Sequence, residues 1–433
     1  MKKLLLVFFL IASACFAHPI DSLIKESDFN IKSTVSILVE NQLDGSIIYK
    51  KNEKKLLNPA SVQKLLTFGA SYFVLGRDYK FETALYKDNK NNLYIKLSGD
   101  TQLSSADLEK LFSKIKAPIN NIYIDDSIID KTPYPQSWMK EDTWPCQRQI
   151  TPYIVDKNFV TVAINRSSLA TKVDIIQNDD YKIPVINELR LSDKNDYTIT
   201  RMQDSPIVSF KGGVQSDGII TIPVLSPEIN FNIKLRKAIE KNNISYHNKI
   251  TNKKTPLNSK KIASVSHSIE ELSRDILYNS DNFSSEVVFK TAAAKFINYS
   301  HSAGLDDAML MFNSVLNPGD DIVIADASGV SRYNLLNCEF VIDSLIKLNK
   351  KEGFRELLAS AKQGTLSNRF DFLDDSIRAK TGTLANMSSI AGYMVTKKHK
   401  DIVFCIIIQN SPKRKAVLKN FENNIITLLY RKY

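Results

Sequence analysis

Asn58-Pro59-Ala60-Ser61-Val62-Gln63-Lys64 sets a hydroxyl and an amine three residues apart where an apolar segment begins. On a helix that spacing brings both side chains to one face. A helix N-terminus favours an alkoxide and makes a nearby ammonium easier to deprotonate. A neutral Lys64 could then take the proton of Ser61 and leave it a nucleophile for acyl transfer. The spacing by itself selects little, because Ser22 with Lys25, Ser113 with Lys116 and Ser344 with Lys347 repeat it and read as solvated helix faces.

Two later segments single out the first. Ser280-Asp281-Asn282 is the one Ser-x-Asn of the chain and Lys380-Thr381-Gly382-Thr383 its one Lys-Thr-Gly, and the three follow in the order of the penicillin-interacting motifs. Ser280 offers a second hydroxyl that could pass a proton to a leaving amine, and Asn282 offers an amide to Lys64 and to substrate. Lys380 suits a carboxylate, and Gly382, just before an apolar strand, allows close approach and edge pairing by a peptide. Other hydrolytic chemistries lack their residues. The five histidines (His18, His247, His267, His301 and His399) form no His-Glu-x-x-His pair, and there is no Gly-x-Ser-x-Gly elbow.

Elements must carry these groups together across long gaps. Thr34–Glu40 and Ser46–Tyr49 alternate around Leu43-Asp44-Gly45 as a β-hairpin, and Val62–Leu75 reads as an apolar helix ending near Gly76. From Phe81 to Leu225 short apolar runs are broken by Asn, Asp, Gly and Pro, which predicts a separate β-rich stretch. Helical periodicity is expected at Ile233–Ile239, from Ile269 toward Phe296, at Ala308–Leu316 and at Phe340–Leu348. Ser389–Val395, a turn at Lys397–Lys400 and the run around Cys405 predict a second hairpin, with a final helix near Ala416–Leu429.

The chain has 433 residues, 43% hydrophobic, enough for one large core or several smaller ones. Met1-Lys2-Lys3, the apolar Leu4–Ala14 and Cys15-Phe16-Ala17 have the layout of a secretory signal peptide cleaved before His18, with lipidation of Cys15 as the lesser alternative. That run falls short of the roughly 20 apolar residues that span a bilayer. A periplasmic, exported protein is the expectation. Cys146, Cys338 and Cys405 show neither a disulfide framework nor a zinc spacing, and Cys405 reads as core. Net charge is +11, dispersed and without an Arg-rich patch, which argues against nucleic acid and suits anionic wall polymers or headgroups.

With all three motifs in place, the chain resembles the serine D-alanyl-D-alanine carboxypeptidase/endopeptidase family, the class C low-molecular-mass penicillin-binding proteins. Asp326-Ala327-Ser328-Gly329-Val330-Ser331-Arg332-Tyr333-Asn334 and Gly364-Thr365-Leu366-Ser367-Asn368-Arg369-Phe370 resemble longer segments of that family. The resemblance implies an α+β penicillin-binding/serine β-lactamase-like fold: a five-stranded antiparallel sheet with flanking helices, a helical cluster, and a β-rich insertion after the nucleophile helix. On that pattern residues 1–17 are the signal, 18–80 with 255–433 the catalytic domain, and 81–254 the insert.

The resemblance also implies roles. Ser61, Lys64, Ser280 and Asn282 would be catalytic, and Lys380, Thr381, Gly382 and Thr383 would bind the substrate carboxylate. The backbone N–H groups of Ser61 and Thr383 would form the oxyanion hole. Asp142 and Arg332 would meet the substrate's side chain. Leu97-Ser98-Gly99-Asp100-Thr101 and Ile154-Val155-Asp156-Lys157-Asn158 depart from the family's pattern in the insert, which bears on Asp142 and on specificity rather than on the reaction. The implied partners are peptidoglycan stem peptides and β-lactams, with no cofactor and no metal. A homodimer and a peripheral membrane or wall association stay open. The alternatives are a serine β-lactamase and a catalytically idle wall-binding protein.

Overall fold

The computed structural model describes residues 18–116, 118–139, 147–166, 172–201, 205–247 and 250–433. The signal segment with Cys15, and also Asp142 and Cys146, lie outside the described residues.

The hydrophobic run Ile402–Ile408 explains the central sheet. Strand Asp401–Gln409 pairs antiparallel with Thr34–Asn41 on one side and Met387–Val395 on the other. Ile47–Lys51 and Ile377–Leu384 complete five strands, in the order 377–384, 387–395, 401–409, 34–41, 47–51. Side chains alternate across a strand, and here both faces are covered. Val403, Cys405 and Ile407 join the core of the helical cluster, while Ile402, Phe404, Ile406 and Ile408 join a second core with Ile20, Phe29, Phe421 and Leu429 from the two chain ends. A strand buried on both faces reads as a continuous apolar run, as this one does. Cys405 is core as expected, and its Sγ lies 2.8 Å from that of Cys338.

The helical cluster is built on Gln63–Leu75, which is buried almost all round and stops at Gly76. Leu305–Leu316 and Cys338–Asn349 surround it together with Asn282–Phe296. The expected helix from Ile269 is not continuous. Ile269–Ser273 runs into a wide π-turn, Arg274–Tyr278, and the chain breaks at Ser280, whose φ of 61° no α-helix accommodates, before restarting at Asn282.

Between Lys80 and Ser268 the chain forms three further sheets. Strands 251–252, 122–125, 93–96, 80–87 and 260–268 make one, and the three-stranded pairs of ladders 159–166/173–177/218–223 and 185–191/198–201/208–214 make the others. Lys260–Ser268 was not anticipated as a strand, and it pairs with Lys80–Lys87 although it lies beyond residue 254. Helix Ser105–Phe112 was also missed. It is too short for a periodic signal, yet Ser104 and Asp107 cap it reciprocally, a pattern visible in the residues.

The segment Gly364–Phe370 is tied to the C-terminal helix Lys415–Lys432 by Arg369, which donates to Glu422 at 2.9 Å and to Asn423 at 2.8 Å. Both charged groups are buried. Removing one partner of such a pair strands the other, so Arg369→Met should lower stability by about 3–5 kcal/mol, measured by denaturant unfolding.

Candidate active site

The turn that carries Ser61 is held in a conformation the backbone would not choose. Ala60 has φ 46°, in the left-handed region that non-glycine residues avoid. Three contacts compensate: Asn58 Oδ1 accepts from Ala60 N (2.9 Å), Asn58 Nδ2 donates to Ser331 O (2.9 Å), and Ser389 Oγ donates to Pro59 O (2.7 Å). A tight 3₁₀ turn, Ala60–Val62, then leads into the helix from Gln63, so Ser61 sits just ahead of that helix rather than within it.

Lys64 is fully buried on the first helical turn, and its Nζ reaches Ser61 Oγ (3.0 Å), Asn282 Oδ1 (2.7 Å) and Ser328 O (2.5 Å). The amide and carbonyl oxygens can only accept. A neutral amine has two N–H groups for them and one lone pair left, which faces the one partner able to donate, the Ser61 hydroxyl. Burial brings the Lys64 pKa down to about 8, against a smaller upward pull from Asp326, Glu286 and Asp281.

The third motif lies on the edge strand Ile377–Leu384. Lys380 and Gly382 share one face of it. Lys380 Nζ donates to Ser280 Oγ and to Thr381 O, each at 2.8 Å. Burial, reinforced by the Lys64 charge, holds its ammonium well below the usual lysine range. Gly382 lies against the Ser61 turn so closely that a Cβ there would meet Pro59 O at 2.7 Å and Ser61 N at 3.0 Å. Thr381 is buried and Thr383 part-buried beside it. Ser61, Lys64, Ser280, Asn282, Lys380, Thr381, Gly382 and Thr383 are thus brought together. Arg332 is exposed, donates to Met139 Sδ, and borders a small hollow of about 180 Å³ with Asn58, Leu384, Asn386 and Gln409.

Residues beyond the motifs hold the site. The buried Asp326 carboxylate accepts from the N–H groups of Gly329, Val330 and Ser331 (2.8 to 2.9 Å), from Trp138 Nε1 (2.7 Å) and from Asn334 Nδ2 (2.8 Å). Glu286 accepts from Ala327 N and Ser328 N (2.9 to 3.1 Å), and burial pushes its pKa up to about 7. Together they aim the Ser328 carbonyl at Lys64. Gly329 (φ 78°) is pressed onto Ala60, where a Cβ would come within 2.0 Å of the Ala60 oxygen. The resemblance named Asp326 only as part of a segment. Glu286 went unnoticed, although it stands four residues after Asn282, one turn along the same helix face.

The model of the D-Ala-D-Ala carboxypeptidase 3 (S13) family matches residues 17–432. The chain belongs to that family. This S13 chain is 23% identical over 466 residues to the D-alanyl-D-alanine carboxypeptidase DacB of Haemophilus influenzae, covering 97% of the chain and 96% of the relative. The crystal structure of penicillin binding protein 4 (dacB) from Haemophilus influenzae superposes with a TM-score of 0.81 at 21% identity, covering 96% of this chain and all of that one. The same protein solved with a novel β-lactam gives 0.77 at 22% identity over the same coverage. The fold is therefore the expected penicillin-binding one. An S13 membership makes the chain a peptidase hydrolase and favours that reading over a β-lactamase or an idle wall-binding protein.

Two outcomes follow from the geometry. With a neutral Lys64 as the base toward Ser61, the second-order rate constant for acylation by a fluorescent penicillin should rise with pH and level off above a midpoint near 8, in a stopped-flow pH series. Gly382→Ala should displace Pro59 and Ser61 and slow acylation by about 100-fold, a cost typical of an ångström-scale misplacement, measured in the same assay.

Proposed function

We propose that the protein is a serine D-Ala-D-Ala carboxypeptidase/endopeptidase that works on peptidoglycan stem peptides through an acyl-enzyme at Ser61. The observation that carries the reading is the 3.0 Å approach of a desolvated Lys64 amine to Ser61 Oγ, with both other partners of that amine fixed as acceptors. Ser61 Oγ attacks the carbonyl carbon of the penultimate D-Ala while its proton passes to Lys64 Nζ. The C–N bond to the terminal D-Ala then breaks, and the leaving nitrogen takes a proton relayed through the Ser280 hydroxyl. Water attacks the ester, and the Ser61 hydroxyl and a free carboxylic acid are restored.

Binding follows from the same surface. Lys380, with the Thr381 and Thr383 hydroxyls, receives the substrate's terminal carboxylate, whose negative charge favours the protonated form of that buried amine. The edge of Ile377–Leu384 beyond Ala379, whose N–H is already taken by Ala359 O, accepts the peptide as an added strand. The N–H groups of Ser61 and Thr383 stabilise the oxyanion, and the contact of Gly382 with the Ser61 turn supports this assignment. Arg332, with Asp142 beyond the described residues, meets the side chain of the stem peptide. β-Lactams, one of which is bound in the Haemophilus structure, acylate the same serine.

The substrate lies outside the cytoplasm, and the residue pattern of 1–17 supports export to the periplasm. The insert extends from about Lys80 to Ser268 rather than ending at 254, because Lys260–Ser268 completes the insert's sheet.

Mass spectrometry after penicillin treatment should show one adduct on the peptide carrying Ser61, absent from Ser61→Ala. An adduct that persists in that variant would refute the nucleophile. Monomeric and cross-linked muropeptides incubated with the enzyme should lose D-Ala and their cross-links respectively, as read by chromatography.

A further inference from the structure

The second motif is gripped from the insert. Arg148 is 6% exposed, and its guanidinium is held between the rings of Phe159 (4.3 Å) and Phe283 (4.4 Å), the first from the insert and the second from the helix that starts at Asn282. One nitrogen donates to Lys157 O at 2.9 Å and another to Asp281 Oδ1. Asp281 is the middle residue of Ser280-Asp281-Asn282. Its other oxygen accepts from Ser284 N at 2.8 Å and so caps the helix Asn282–Phe296.

A second tie runs in parallel. Lys157 Nζ and Gln102 Nε2, both from the insert, each meet Asp275 Oδ2 at 2.6 Å. The backbone carbonyl of Asp275 accepts from Asp281 N at 2.8 Å. Ser280, between these two anchorages, has φ 61°. An unrestrained serine would leave that region. The groups on either side of the anchored aspartate are the ones that face the lysines: Ser280 Oγ toward Lys380 and Asn282 Oδ1 toward Lys64.

We propose that Arg148 is a positioning residue for acyl transfer, a strut by which the insert fixes Asp281 and thereby sets Ser280 and Asn282 against Lys380 and Lys64. The inference rests on the acyl-transfer reading above and extends the role of the insert from substrate contact to alignment of the reacting groups. A flat cation between two aromatic faces fixes its position as well as its charge, which a lysine would not reproduce.

The test compares the full enzyme with Arg148→Gln, Arg148→Lys, Asp281→Asn and the double variant Arg148→Gln/Asp281→Asn. Each is quantified as folded protein by its unfolding transition, then assayed for acylation by a fluorescent penicillin well below its own midpoint. Arg148→Gln should lower the second-order rate constant by about 100-fold. Asp281→Asn should lower it comparably, and the double variant no further than either alone, because the two act as one unit. Arg148→Lys should fall between wild type and Arg148→Gln, and it carries the test if Arg148→Gln does not fold. An arginine variant that folds and acylates at the wild-type rate would overturn the inference, as would losses that multiply in the double variant, since a merely structural role lowers the midpoint without coupling to Asp281. A wild-type enzyme that takes no label would instead overturn the acyl-transfer reading itself.

Discussion

An amine stripped of water governs this molecule. Lys64 is buried, and among the described residues its amine bonds to no carboxylate but to two oxygens that can only accept and one hydroxyl that can donate. Such a site is costly to build, because a buried cation loses its hydration and neutralises in preference to remaining charged. The fold provides the amine with neutral dipoles and keeps charges one residue removed: Asp326 and Glu286 bond to backbone N–H groups of the loop rather than to Lys64. The carboxylates thus shape the loop that supplies the Ser328 carbonyl while leaving the amine free to lose its proton near neutral pH.

Strain around this centre is local and compensated. Ala60 and Ser280 both occupy the left-handed region, and each sits directly beside or within a motif. At Ala60 the compensation is a set of hydrogen bonds from Asn58 and Ser389 together with the pressure of Gly329. At Ser280 it is the clasp of Arg148 and the carbonyl of Asp275. In both places polar groups of neighbouring residues and elements, rather than the strained residue itself, determine the backbone path.

Much of this was legible in the residues, for identifiable reasons. The three motifs and the strands around Cys405 follow from residue type and continuous hydrophobicity, which need no knowledge of neighbours. The Ser280 break was legible only in part: Ser280-Asp281-Asn282 taken alone reads as a turn, and Asp281 caps the helix that follows, but helical periodicity on both sides favoured a continuous helix. Lys260–Ser268 was hidden because its side chains alternate weakly and its partner lies far back at Lys80–Lys87. Glu286 and Arg148 could not be distinguished from ordinary surface charges until their burial was known, since a charged residue is inside only when something specific receives it.

The pairing of Thr34–Asn41 with Asp401–Gln409 has a kinetic meaning. The central sheet cannot close until nearly the whole polymer is available, whereas the strands of the insert find most of their partners within short stretches of chain. Topologies dominated by distant pairings assemble slowly, so the middle of this protein should reach native order first and wait, while the part that performs hydrolysis completes itself last. The turn that carries Ser61 and the strand that carries Lys380 therefore come together only when both ends of the chain are present.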